Sequence, residues 1–300
     1  MTQAPGAAPG PALTVEQAEA LAKKHGLKTL GERPPFFTYV RELIRRRAFI
    51  WTLSRAQSTG KHQANQLGWL WSIFNPVLMI ISYYVIFGLI LRTNMGNGGP
   101  GQRIAFLSIG VILFTVSATV VSTGAKSIVS NNGLMRALHF PRAVLPLSVA
   151  LTEFLANLPA FAVLIGVMFL IGERPQVAWL LFPVAITFQM LILTGVALIC
   201  ARIVNMSRDL ANFIPVALRV LRYISGVFFS LSHYAPNNSV ASAIMNYQPF
   251  ALPLTTAREA LLVDHAIVPM HWVVMAAWGV GLFWVGLWFF WRDEAKYGRG

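Results

Sequence analysis

The 300-residue chain is 56% hydrophobic and only 12% charged, yet its formal net charge is +13. A soluble domain carries about a quarter charged residues, and the apolar residues here run in blocks longer than a globular core helix needs. Composition therefore excludes an ordinary soluble domain and gives an all-α integral membrane protein, whose spans each need roughly 20 mostly apolar residues.

The opening MTQAPGAAPGPALT is rich in Pro, Gly and Ala and reads as a disordered cytoplasmic tail, residues 1–35, holding one short helical pattern over 15–27. No apolar core falls in the first 15–30 or so residues, so no cleavable signal peptide is expected. FFTYVRELIRRRAFIWTLSRAQ (36–57) repeats apolar residues at helical spacing, with arginines filling much of the remainder. It predicts a basic amphipathic helix over 36–60 lying in the membrane interface.

Six spans follow, at about 71–91, 104–121, 145–171, 179–204, 213–231 and 271–291. Between the last two, 233–269 has apolar pieces too short to cross, interrupted by Pro249 and Pro253. These read as re-entrant or interfacial external helices. Lys and Arg concentrate before the first span, after the second (Lys126, Arg136, Arg142), after the fourth (Arg202, Arg208) and at the C-terminus (Arg292, Lys296, Arg299). The opposite side has only Arg92, Arg103, Arg174 and Arg258. The positive-inside rule puts both termini in the cytoplasm and the chain in the cytoplasmic membrane. That distribution accounts for the net charge without nucleic acid. Trp69, Trp71, Trp179, Trp272, Trp288 and Trp291 fall near span ends, where aromatic belts sit.

Catalytic chemistry is missing from the sequence. The Gly-rich GNGGPG (96–101) lacks the lysine of a P-loop, and there is no H-E-x-x-H and no D-x-D. Cys200 is the single cysteine, so no internal disulfide forms, and it reads as a small buried hydrophobe. Asp293 and Glu294 read as a solvated pair in the C-terminal tail. Proton-coupled transporters carry acids within their spans, and only Glu153 qualifies. The expectation is a translocation pore with no catalytic residue, metal or cofactor of its own, driven from outside the chain.

Four stretches then carry a resemblance. QLGWLWSIFNPVLMIISYYVIFG (66–88) has Leu67, Gly68, Trp71 and Pro76 leading into span one. NNGLMRALHFPRAVLPLS (131–148) holds an F-P-R turn into span three, NMSRDL (205–210) an R-D pair, and QPFALPLTTAREALL (248–262) an external helical segment. In this order, over about residues 36–291, they resemble the membrane subunits of ABC exporters of the polysaccharide and teichoic-acid type. The wording looks closest to the branch that exports lipid-linked cell-wall galactan. Gln248 stands where the family has Asn. The resemblance implies a homodimer paired with two copies of a separate ATPase subunit, which binds the ATP and Mg. It implies a glycan on a polyprenyl diphosphate as substrate. It also implies a coupling helix docking on the ATPase, here Leu134, Met135, Arg136, Leu138, His139 and Phe140; the plainer reading is an ordinary amphipathic helix at the membrane surface. Two other readings stay open: an exporter of a drug or small lipid, and a membrane enzyme acting on a polyprenyl-linked sugar.

LRVLRYISG (218–226) departs from the family, which has uncharged polar residues there. Arg219 and Arg222 lie nine and twelve residues past Leu210, about 14 and 18 Å along a helix. Each arginine at a span centre costs about 2.5–3.5 kcal/mol, so both should face protein or water. Arg219, Arg222, Tyr223, Gly226, Ser230 and His233 share one helix face, with Phe228 and Phe229 beside it. That face could line an export channel, where guanidinium forks suit diphosphate oxygens and aromatic faces suit sugar rings. Equally, Arg219 could pair with Glu153, at similar depth in span three. Trp71, Tyr83 and Tyr84 could extend the aromatic belt or simply pack. Arg45, Arg46, Arg47 and Arg55 could gather anionic lipid or the substrate's diphosphate, or simply fix topology.

Overall fold

The computed structural model describes residues 34–63, 70–90, 99–138, 140–229, 239–294 and 297. These residues are helical throughout, with no strand among them. In chain order the helices are α1 (Phe36–Arg45), α2 (Arg47–Gln63), α3 (Trp71–Tyr83), α4 (Pro100–Ala125), α5 (Ser127–Ser130), α6 (Asn132–Ala137), α7 (Val144–Ile171), α8 (Phe182–Met206), α9 (Leu210–Ile224), α10 (Ser239–Tyr247), α11 (Leu252–Leu261) and α12 (Pro269–Trp291).

α4 is largely apolar and forms the centre, with Leu107, Ile109, Leu113 and Phe114 fully buried. α7 and α8 pack along it, and α12 packs along α8. Gln189 of α8 donates to the Leu113 carbonyl and to Ser117 Oγ, both at 2.9 Å, joining the two helices through their one polar contact in the core. α8 and α12 touch backbone to backbone. A Cβ on Gly195 would stand 2.3 Å from the Leu282 carbonyl oxygen, and one on Gly286 would stand 2.4 Å from that of Gly195. Small residues at such contacts are how helices associate where lipid removes the hydrophobic drive.

Among the described residues four helices are long and apolar enough to cross a membrane: residues 101–125, 144–171, 177–206 and 269–291. In the most apolar windows of α7 and α12 only 22% and 28% of residues are buried. Helices that are apolar all round yet covered on one side fit a lipid solvent.

The first and fifth expected spans differ from expectation. α3 runs 13 residues and continues as a π-helical segment, Tyr84–Ile90. α9 runs 15 residues and ends at Ile224, short of the expected 231. The reason is local. Gly226 adopts φ 70, a left-handed conformation that glycine favours. The carbonyls freed beyond the break are taken by a buried arginine of α11: Arg258 Nη2 donates to Gly226 O at 3.0 Å and to Val227 O and Phe106 O at 3.3 Å. Its guanidinium carbon lies 3.4 Å from the Phe106 ring centroid. Arg258, expected as an external-loop charge, is thus a structural bolt, 6% exposed. α4 approaches the same break so closely that a Cβ on Gly110 would meet Val227 O at 2.7 Å.

The single interface helix expected over 36–60 is two helices, broken at Arg46. α2 lies parallel to the start of α7 along a polar seam. Ser54 Oγ donates to Ser148 O at 2.9 Å, Thr152 Oγ1 lies 3.2 Å from Gln57 Oε1, and Lys61 pairs with Glu153. At 1.5 Å per residue α7 is about 42 Å long, roughly 12 Å more than a hydrocarbon layer of about 30 Å requires. That surplus gives α2 somewhere to dock.

The C-terminal acids correct another expectation: they are buried rather than solvated. Tyr39 OH donates to Glu294 Oε2 and the Arg142 N–H to Glu294 Oε1, both at 2.8 Å. Arg202 pairs with Asp293 at 2.6 Å. Glu294 therefore ties α1, the F-P-R turn and the end of α12 together. Burial pushes its carboxyl up to about 7, against the pull of the Arg142 and Tyr39 hydrogen bonds.

Candidate translocation site

α4 presents one polar stripe in an otherwise apolar helix: Thr115, Thr119, Ser122, Thr123 and, just past its end, Lys126, at three- and four-residue spacing. Three of the hydroxyls, on Thr115, Thr119 and Ser122, are satisfied by the preceding turn. Thr115 donates to Val111 O at 2.6 Å and Thr119 to Thr115 O at 2.8 Å. The stripe faces α9 across a cavity of about 480 Å³, lined also by Ala118, Ser130, Pro215, Leu218, Arg219 and Arg222. A second cavity, about 280 Å³, shares Thr115 and Thr119 and continues to Trp71, Asn75, Asn157 and Glu153. The two hollows thus adjoin along one hydroxyl row.

Arg219 is exposed and makes no hydrogen bond or ion pair among the described residues. Its expected partner, Glu153, is 2% exposed and pairs with Lys61 instead. Equal depth suggested Arg219, but the α2–α7 seam supplies a nearer cation. Arg222 is half-buried: Nη1 donates to Tyr83 OH at 2.8 Å, and the guanidinium carbon lies 5.4 Å from the Phe114 ring centroid.

Above Arg222 the aromatic residues gather. Tyr83 lies 5.1 Å and Tyr223 5.4 Å from Phe228 between ring centroids, and Phe87 stacks on Phe228 at 4.2 Å. Phe228 is 1% exposed, so it is the floor of this group rather than an open lining surface. Phe229 and Tyr84 are partly buried against the same core. Trp71, 44% exposed, stands apart at the rim of the second cavity. The expected helical stripe does not reach Gly226, because α9 ends at Ile224. Ser230, His233 and His139 lie outside the described residues.

The candidate coupling segment is α6 with the residues after it. Leu134, Met135 and Phe140 pack inward on the cluster holding Tyr39 and Phe290, with Phe140 5.5 Å from Phe49. Arg136 and Leu138 face outward. Arg45, Arg47 and Arg55 are exposed on α1 and α2, and Arg46 reaches Glu42 at 3.5 Å. Sequence reasoning overlooked Phe87, Lys61 and the hydroxyl stripe of α4. The stripe was visible as T-x-x-x-T-x-x-S-T-x-x-K; Phe87 and Lys61 gave no comparable signal.

Fold and cleft together describe a multi-pass membrane protein with a cationic cleft beside its central helix and an aromatic group joined to it through Arg222. A family profile described as "ABC-2 type transporter" matches residues 48–262. The chain belongs to the ABC-2 type transporter family. An "O-antigen export system permease protein RfbA" of Myxococcus xanthus is 28% identical over 249 residues, 82% of this chain and 92% of the relative. A protein of the same description from Klebsiella pneumoniae is 28% identical over 203 residues, 67% of this chain and 75% of the relative.

Proposed function

We propose that this chain is the permease subunit of an ABC transporter that exports polyprenyl-diphosphate-linked polysaccharide, cell-wall galactan in particular, across the cytoplasmic membrane. A homodimer works with two copies of a separate ATPase subunit, and both termini lie in the cytoplasm. The first and fifth of six membrane segments are α3 and α9. The observation that carries this reading is the cleft itself. Lys126, Arg219 and Arg222 line it, and Arg222 bonds Tyr83 of an adjoining aromatic group, an arrangement that suits a diphosphate followed by sugar rings, and a small apolar cargo would need neither. The family match and the two O-antigen permease relatives support it.

The apolar faces left open on α3 (Trp71, Phe74, Leu78, Ile81) and α9 (Phe213, Val216, Val220, Tyr223) suit lipid and a second copy alike, and the homodimer places its partner there. ATP-driven closure of the ATPase pair pushes α6 through Arg136 and Leu138. Leu134, Met135 and Phe140 pass the movement to the bundle, and α3 and α9 of the two copies separate to admit the glycan. The arginines of α1 and α2 gather the anionic headgroup at the membrane surface. Affinity purification from the host tests this: an ABC ATPase should co-purify in equal amount, and the reconstituted pair should move lipid-linked glycan only with ATP. A chain that purifies without any ATPase and gives no ATP-dependent transport refutes the reading.

A further inference from the structure

Lys126, Arg219 and Arg222 line one hollow of about 480 Å³, and none of its lining residues among those described is acidic. The buried carboxylate of the adjoining cavity, Glu153, lies across the α4 hydroxyl row and is paired with Lys61. Such an excess of positive charge in a partly enclosed cleft asks for an anion. The donors are also unspent. The side chains of Arg219, Lys126 and Thr123 make no hydrogen bond among the described residues, and Arg222 Nε is buried without a partner. The spacing has a direction. Lys126 lies just past the end of α4, Arg219 is partway along α9, and Arg222 is one turn further, beneath the Tyr83–Phe87–Phe228 group. From Lys126 to Thr115 the stripe covers eleven residues, about 16 Å of helix.

We propose that the α4–α9 cleft is a seat for the diphosphate headgroup of a lipid carrier. Lys126 receives it at the mouth, and Arg219 clasps it bidentately beside Thr123 and Ser122. Arg222, held by Tyr83, marks the inner end, where the first sugar meets the aromatic group. The doubly charged diphosphate matches the cleft better than a singly charged phospholipid headgroup. This deepens the exporter reading and rests on it.

The test uses the purified full chain in lipid nanodiscs, with farnesyl diphosphate as the probe. Lys126→Gln/Arg219→Gln should weaken probe binding about tenfold or more, the scale of lost charge-assisted hydrogen bonds. Arg219→Gln alone should weaken it less, and Arg174→Gln, an exposed charge remote from the cleft, should not change it. Both cleft side chains lack partners, so the melting temperature should not move. Equal binding by wild type and double variant overturns the proposal. So does displacement of the probe by an equal fraction of phosphatidylglycerol in the disc, which would make the cleft a general anionic-lipid site. Either failure leaves the exporter reading standing, because that reading is judged by ATP-dependent glycan transport.

Discussion

Replacing Arg258 with Met should unfasten the bend that ends α9. The guanidinium serves Gly226 O at 3.0 Å and Val227 O and Phe106 O at 3.3 Å, from a site 6% exposed. A hydrogen bond to a charged group contributes about 1.5–3 kcal/mol net. One contact here is full length and two are long, so together they are worth about 3 kcal/mol. The stacking on Phe106 adds about 1 kcal/mol, for a total near 4 kcal/mol. Methionine fills the volume but leaves the Gly226 and Val227 carbonyls unpaired in the core, so relaxation recovers little. At about 2–4 °C per kcal/mol for a chain of this size, the melting temperature in detergent should fall by about 10 °C. Arg258→Lys, with fewer donors and no planar face, should lose about half as much. A methionine variant melting within about 2 °C of wild type would refute the idea that this arginine holds the break.

Three further outcomes follow from the packing. Gly195→Ala puts a methyl group 2.3 Å from the Leu282 carbonyl oxygen, so α8 and α12 must part, at about 1–3 kcal/mol; an unchanged melt would contradict the close approach. Lys61→Ala strands the buried Glu153 and should cost about 2 kcal/mol, less than a fully buried pair because Lys61 is part-exposed. Adding Glu153→Gln should recover most of that loss, whereas additive losses would deny the pair. Glu294 titrates near 7 in the fold against an ordinary value of 4.5. The folded state then holds its proton more tightly, so this group's stabilisation is full below about 4.5 and is lost as pH rises through about 7. Melting temperature should therefore drop between pH 6 and pH 8, and Glu294→Gln should flatten that drop; a wild-type melt independent of pH over this range would contradict it.

The long helices were legible because apolar runs of membrane length leave little choice: α4, α7, α8 and α12 lie within a few residues of the expected spans. The end of α9 was not. Nothing local in LRYISGVFF announces that an arginine 32 residues away will cap the carbonyls after Gly226. The partner of Glu153 was missed for a similar reason. Depth along a span was estimated from span limits alone, while the competing cation came from a helix assigned to the interface. Asp293 and Glu294 looked solvated because they follow the last apolar residue, yet Tyr39, Arg142 and Arg202 reach them from three other parts of the chain. At the candidate site, Arg219 and Arg222 stand out in the sequence by their type, since charge in an apolar run is costly wherever it occurs. The α4 hydroxyl stripe hid because hydroxyls bonded to their own helix are cheap and common there.

The central claim is outward movement of a lipid-linked glycan, and the most direct measurement is where that glycan accumulates when the chain is depleted from its host. Full-length polyprenyl-linked galactan trapped on the cytoplasmic leaflet is the predicted result. A glycan shortened or missing from the outset would place the protein in synthesis rather than export and would contradict the account.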